Sequence, residues 1–481
     1  MSSTQRPAED SEAASEDTAA ASGGATSGGA TDTTARASSD RAPADSGDTG
    51  ARGRKGTGAA TPQARLKRLA LLCIYTLIVG VGTGLGAAAL VKTMQMVEML
   101  VYGRHEGMTA HLTAGTTAAQ RFWGITIAGL LAGVAYYLLQ TKGKPIRSVT
   151  EGMKGKPMPV LSTLINAFLQ MITVAAGASV GRENAPRELG AMMSSQLSHR
   201  LELDSETRRI LVAAAAGAGL GAIYHIPLAG AIFAVEILLG SITIRAMMTV
   251  LACSAVATVT SGIVVGNDPL YATIPLSEGW GNLGAAIIVG ALCGLLGVVF
   301  RSAISRAESN KTHGAAMMWT IPAAFILVGL MSIYLPTVLG NGRLAATEVL
   351  VGRPALTFAA ALLVAKGIAV FVTLRSGAVG GVLTPGFAIG ALAGYCIGVF
   401  LQPFMPGLPA SDFALLGCAS FLSTSMAAPL FAVIVTIEFT GQTSSAYLAL
   451  FLAAATASLA GRAASETMKI PLNVTMPWNR P

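Results

Sequence analysis

The sequence predicts an all-α integral membrane protein made of two repeated halves, and three observations carry that prediction. Of the 481 residues, 52% are hydrophobic and only 12% charged, with a mean hydropathy of +0.59, whereas a soluble domain carries roughly 25% charged residues. Apolar runs approaching the ~20 residues of a bilayer span recur near 69–92, 122–140, 158–181, 210–224, 226–240, 246–265, 283–300, 314–335, 355–374, 385–402, 412–438 and 445–461. They lack the alternation of barrel strands, so the spans are helical. Third, two stretches recur at an offset of 200 residues or slightly more.

The first 62 residues stand apart. Ser, Thr, Ala, Gly and Asp dominate them, and such a segment cannot bury enough surface to fold. Residues 1–62 are therefore expected to form a disordered cytoplasmic tail preceding a membrane domain at 63–481. A secretory leader would place its apolar core within the first 30 or so residues, but here the first apolar run follows Arg65, Lys67 and Arg68. That basic cluster holds the tail inside. Residues 1–60 contain six Lys/Arg and nine Asp/Glu, so the formal net charge of +8 belongs to the membrane domain. A basic excess there suits loop anchors and anion attraction, not nucleic-acid binding. The five cysteines, Cys73, Cys253, Cys293, Cys396 and Cys418, lie singly in apolar runs without metal-ligand spacing and read as packing residues.

Glycine is abundant, 55 residues, well above the usual ~7%. Most of it suits close helix packing, and the Gly-x-Gly-x-x-Gly spacing of a nucleotide site is not met. Placed over one another, GASVGRENAPRELGA (177–191) and GAVGGVLTPGFAIGA (377–391) align Gly177, Gly181 and Gly190 with Gly377, Gly381 and Gly390. PLAGAIFAVE (227–236) and PLFAVIVTIE (429–438) each run from Pro-Leu to Glu. Duplicated transporters build their sites at the repeat interface, from broken helices whose ends face the ion. A helix over Asn184 to Ser198, with Pro186 in its first turn, and a second starting near Pro385 would both aim N-termini at the centre. Unpaired N–H groups and the positive dipole end there favour an anion.

These residues resemble the CLC family of chloride channels and chloride/proton antiporters. Gly181-Arg182-Glu183 matches the first half of that family's G-[KR]-E-G-P signature, and Gly381-Val-Leu-Thr-Pro385 is similar to its G-x-F-x-P signature, with Leu383 in place of Phe. LVAAAAGAGLGAIYHIPLAGAIFAVE (211–236) and SFLSTSMAAPLFAVIVTIEFTG (420–441) are similar to the segments that follow, and the likeness runs from about residue 65 to 475. The resemblance implies a CLC-like fold of about 17 or 18 helices in two inverted-topology repeats, near 65–265 and 280–475. It further implies a homodimer in a prokaryotic plasma (inner) membrane, surrounded by lipid, with both termini cytoplasmic. No cofactor, metal or nucleic-acid partner is expected, nor is the nucleotide-binding pair of some family members.

For the site, the resemblance implies that Glu183 is the gate and proton carrier, and that Arg182, Asn184, Ala185, Gly381, Val382 and Leu383 bind the anion through charge or backbone N–H groups. Departures gather at the inner end. KPIRSVTEG (144–152) stands where the G-S-G-I-P signature should be, putting Pro145, Ile146 and Ser148 at the inner anion site, and KIPLN (469–473) places Asn473 where a tyrosine normally contacts chloride. Ile237 follows Glu236 where exchangers often carry a second glutamate, so Glu236 is the candidate for an internal proton path, although the favoured reading of it and Glu438, at the ends of apolar helices, is that they bond neighbouring backbone N–H groups. His225, before Pro227, reads as a loop residue. Arg182 and Glu183 as a structural pair in a polar loop is the competing view, although neighbours on a helix do not face one another.

Chloride/proton antiport gated by Glu183 is the expected function. A passive voltage- or pH-gated chloride channel and a fluoride exporter of the same fold are the alternatives. A membrane enzyme is remote, because the histidines at 105, 111, 199, 225 and 313 pair with no nucleophile or metal spacing.

Overall fold

A computed structural model describes residues 62–104, 113, 115–267, 270–271, 273–277 and 279–467. The tail expected at 1–62, all but its last residue, and Asn473 lie outside the described residues. The described residues form sixteen α-helices, joined by a few single-turn segments. The first eight are α1 (Pro62–Tyr102), α2 (Ala118–Lys142), α3 (Val149–Met153), α4 (Val160–Ala175), α5 (Asn184–Arg200), α6 (Ser205–Tyr224), α7 (Pro227–Phe233) and α8 (Ile244–Val265). The second eight are α9 (Trp280–Ser309), α10 (Met317–Tyr334), α11 (Arg343–Leu350), α12 (Leu356–Arg375), α13 (Leu383–Leu401), α14 (Ala410–Ser425), α15 (Pro429–Thr440) and α16 (Tyr447–Thr467).

The two sets correspond element by element, and their packing repeats. The pair α5–α6 has its counterpart in α13–α14, and α1–α8 in α9–α16. Backbone conformation repeats as well. Gly177 and Gly377, which end α4 and α12, have φ of 116° and 103°, a region closed to most side chains. His225 and Ala427, just beyond α6 and α14, are both left-handed at φ 57° and 52°, although neither is glycine. The duplication is thus in the chain path itself. At the interface the halves exchange bonds. Gly181 N–H donates to the Gly381 carbonyl at 2.7 Å and Gly381 N–H returns to Gly181 at 2.8 Å, an isolated antiparallel bridge. Glu438 accepts from the N–H groups of Leu228 and Ala229, while Glu236 accepts from those of Leu430 and Phe431. Each half's glutamate therefore caps a broken helix of the other, where N-terminal N–H groups lack intrahelical partners.

Eight helices are long and apolar enough to cross a membrane, which makes this a multi-pass integral membrane protein. Fewer runs span unbroken than the hydropathy suggested, because several are interrupted part-way along. The run at 158–181 is helical only to Ala175, and 412–438 is divided between α14 and α15. Pro429, which supplies no N–H, starts the second piece at its first position. The first helix is longer than its apolar run, 41 residues or about 60 Å, roughly twice the hydrocarbon thickness. The cysteines also depart partly from the packing reading: Cys253, Cys293 and Cys418 are buried, but Cys73 is exposed on α1.

Lys366, in the middle of α12, is wholly buried. Its ammonium donates to the carbonyls of Val338 at 2.8 Å and Gly340 at 2.7 Å. Gly340 N–H in turn donates to the Gly177 carbonyl at 2.9 Å. A polar head group that is costly inside a bilayer is thus given two carbonyl acceptors, and it ties down the segment against which the 177–183 loop rests.

Candidate functional site

The loops 176–183 and 376–382 meet at the Gly181–Gly381 bridge, and each delivers a helix N-terminus to that point. Helix α5 begins at Asn184, as the sequence implied, and α13 begins at Leu383, two residues before the expected start near Pro385. In both helices a proline occupies the third position, where the missing N–H breaks no intrahelical bond.

Glu183, 2% exposed, turns its carboxylate across the bridge to the opposite helix. Oε1 accepts from the backbone N–H of Leu383 at 2.7 Å. Oε2 accepts from the Tyr224 hydroxyl at 3.0 Å and from the Thr384 hydroxyl at 3.4 Å, and those two hydroxyls lie 3.2 Å apart. The two shorter bonds, at roughly 1.5–3 kcal/mol each when one partner is charged, match or exceed the about 2.5–3.5 kcal/mol that a carboxylate costs at mid-membrane. The side chain therefore lies in a cradle of donors that meets the cost of its burial. The space belongs to it alone: a Cβ added to Gly181 or Gly381 would run into the Glu183 carboxylate.

Tyr224 and Thr384 were not legible as site residues. Tyr224 ends α6, and its ring is fixed by an edge contact with Phe439, centroids 5.1 Å apart, and by the Arg182 guanidinium 4.9 Å above its face. The only available signal was the recurrence of helix ends near the repeat interface, which marks a place and not a residue. Arg182 itself is buried, with Nη1 3.4 Å from the Met94 sulfur, and so stands beside the cradle instead of at an open mouth. Arg187, passed over in the sequence, is the basic residue that lines a narrow pocket with Glu183, Phe233, Val382, Leu383 and Met426. Its guanidinium lies 4.5 Å over the Phe233 ring.

The other expected residues divide. Ala185, Gly381, Val382 and Leu383 are all buried around the junction, and Leu383 is the one whose N–H reaches the carboxylate. The Asn184 side chain turns away from the junction, donating to Gln170 of α4 and to Glu188 one turn along its own helix. Pro145 is exposed and Ile146 partly so. Ser148 is committed to its own helix: its hydroxyl accepts from Glu151 N–H at 3.2 Å while the Glu151 carboxylate takes Ser148 N–H at 3.1 Å, a complete capping box. Glu236 caps α15 as described, and His225 is the C-cap of α6. No group of three or more metal-ligating side chains occurs among the described residues.

The family model described as voltage gated chloride channel matches residues 124–462. The chain belongs to this family. Among curated relatives, the voltage-gated ClC-type chloride channel ClcB of Salmonella typhimurium is 27% identical over 383 residues, covering 77% of this chain and 91% of that protein. The ClcB protein of Escherichia coli O81 is 27% identical over 382 residues, covering 76% and 90%. Among solved structures, a slow cyanobacterial Cl-/H+ antiporter aligns with TM-score 0.70 at 18% identity over 83% of this chain and 98% of that one. A CLC-type fluoride/proton antiporter aligns with TM-score 0.69 at 19% identity, over 86% and 98%. Both establish the CLC fold, in which the Gly181–Gly381 junction lies between the two halves.

Within the CLC cradle the Tyr224 hydroxyl is removable without disturbing the ring. Tyr224→Phe takes one donor from the ionised carboxylate and leaves the protonated form little changed. Losing a bond to the charged form favours protonation, so any pH dependence of anion flux should move upward by about one pH unit, the equivalent of ~1.4 kcal/mol. Flux recorded across a pH series in the two proteins checks this, and coincident curves would mean that the Tyr224 hydroxyl has no part in it.

Proposed function

We propose that this protein is a chloride/proton antiporter in which Glu183 is both the gate and the proton carrier. The reading rests on one observation: the Glu183 carboxylate occupies, between two helix N-termini, the donors that a small anion would need. A carboxylate and a chloride ion compete for the same N–H and O–H groups. Protonated, Glu183 loses its attraction to them and leaves; an anion then takes the Leu383 N–H and the Tyr224 and Thr384 hydroxyls. The backbone groups of Asn184, Ala185, Gly381 and Val382 and the dipoles of α5 and α13 add to that field. Arg182 and Arg187 supply positive charge on either side.

At the inner end the segment of Pro145, Ile146 and Ser148 makes a weak waiting position, since Pro145 has neither a hydroxyl nor an N–H to offer an anion. The protein works as a homodimer with one pathway per subunit in the lipid of a prokaryotic inner membrane, both termini cytoplasmic. No chemical catalysis is assigned to it.

The test is purified protein in chloride-loaded liposomes with anion and proton movement recorded together. A chloride gradient should drive protons uphill. Chloride flux without any proton movement would assign a passive channel. A strong preference for fluoride, run in parallel because one structural neighbour is a fluoride/proton antiporter, would change the ion and keep the gate.

A further inference from the structure

Antiport needs a group that takes a proton on the cytoplasmic side of the gate, and Glu236 is occupied in capping α15, while Ile237 has no proton to exchange. A second carboxylate lies on the gate's own helix. Glu188 stands five residues beyond Glu183 on α5, about 7–8 Å along the axis. Which side that is follows from charge: α5 ends in His199 and Arg200, and Arg208, Arg209, Lys154 and Lys156 lie in the segments packed about that end. Lys and Arg concentrate on cytoplasmic ends, so Glu188 sits inward of Glu183.

Its surroundings are unusual for a partly buried acid. Oε2 accepts from the side-chain amides of Asn166 at 2.7 Å and Gln170 at 3.2 Å, both on α4, and Oε1 accepts from Asn184 at 2.9 Å. The Asn184 amide also donates to Gln170 Oε1 at 3.1 Å. Asn166, 1% exposed, keeps a buried carbonyl oxygen that accepts no hydrogen bond among the described residues. The charged or titratable groups whose fields reach Glu188 are Arg187 on α5 itself and the phenol of Tyr136 on α2, while α4 presents the two amides. Arg187 also feels Glu183, so one guanidinium links the two carboxylates electrostatically.

Amide ligands differ from Lys or Arg ligands in one decisive respect. An ammonium or guanidinium can only donate and so holds a carboxylate in its ionised form alone. An amide carries a donor and an acceptor on one carbon, so a half-turn of Asn166 would offer its unused oxygen to a protonated Glu188. The cluster can satisfy the acid in either state. We propose that Glu188 is the internal proton-exchange site, binding a proton that enters from the cytoplasmic side and passing it outward to Glu183. The step forms one carboxyl O–H bond and breaks another, with no electron transfer; the separation calls for a relay through one or two waters.

The inference rests on the antiport reading, so wild type is measured first. No chloride-driven proton movement in wild type would overturn both. With wild type coupled, Glu188→Gln should cut proton movement by about a hundredfold while chloride flux persists, because the Glu188 carboxylate bonds to the amides of Asn166, Gln170 and Asn184 and the three cradle donors bond to Glu183. Undiminished coupling in Glu188→Gln would overturn the proposal and leave the gate standing. Loss of both fluxes in a correctly assembled Glu188→Gln protein would also overturn it, since that pattern marks a structural tie between α4 and α5. Should the variant not reach the membrane, Gln170→Leu decides. It keeps the carboxyl and removes one donor to its ionised form, so the pH profile of proton flux should move alkaline; an unmoved profile would overturn the proposal.

Discussion

Replacing Glu183 with alanine should abolish chloride-driven proton movement and flatten the pH dependence of anion flux, while chloride continues to cross. The expectation follows from what the alanine leaves behind. Leu383 N–H, the Tyr224 and Thr384 hydroxyls and both helix N-termini remain, and the only group removed is the anion's competitor. Two short charge-assisted bonds, worth roughly 3–6 kcal/mol together, would no longer oppose occupancy, so chloride should bind the cradle at least about tenfold more tightly. Glu183→Gln, neutral but able to donate as well as accept, should also lose coupling. If Glu183 instead held Arg182 in a structural pair, both Glu183→Ala and Arg182→Ala would misfold. Simultaneous chloride and proton recordings on the purified variants separate these outcomes, and coupling that survives in well-folded Glu183→Ala would remove the gate from this residue.

A nearly equal effect is expected from a residue with no side chain. Gly381 is absent from the positions that adopt positive φ, so its backbone accepts alanine; what forbids the methyl group is the Glu183 carboxylate lying where the Cβ would go. Gly381→Ala should therefore evict the carboxylate from the cradle. Anion flux should lose its pH dependence, and proton coupling should fall by about tenfold or more, the cost of a bond or two at roughly 1.5–3 kcal/mol each. The decisive measurement is the double variant. With Glu183→Ala the occupied space is vacated, so adding Gly381→Ala should change flux little beyond the single variant. Neighbours that share space are non-additive in this way. Fully additive losses would mean that Gly381→Ala damages the junction itself.

Much of this arrangement was legible before any coordinates. Composition and run length gave the membrane and the helices, because a bilayer leaves few ways to satisfy a backbone. The Gly177/Gly377 and Gly181/Gly381 matches marked the junction, since a positive φ and a space filled by a foreign side chain both demand glycine. Glu183 and Leu383 could be named because the signature is local. Tyr224, Thr384, Arg187 and Glu188 could not. Tyr224 meets Glu183 across 41 positions and Leu383 meets it across 200, and no periodicity encodes which helix end a phenol will face. Arg187 and Glu188 read as ordinary charges within GRENAPRELG until α4 and Phe233 are placed against them. Helix boundaries shifted for the same reason: hydropathy sees apolar content and does not register the break between α14 and α15.

The Gly181–Gly381 bridge bears on the speed of transport. Two main-chain bonds, 2.7 and 2.8 Å long, lock the loop that carries Glu183, the proposed gate, to the loop that leads into α13, so neither moves without the other. No hinge is left at this point, and release reduces to rotation about the bonds of a single side chain. On the proposed reading, opening then waits on breaking the bonds of one buried carboxylate and not on the microsecond-to-millisecond motions of helices or domains, and the turnover clock passes to the arrival of protons and anions.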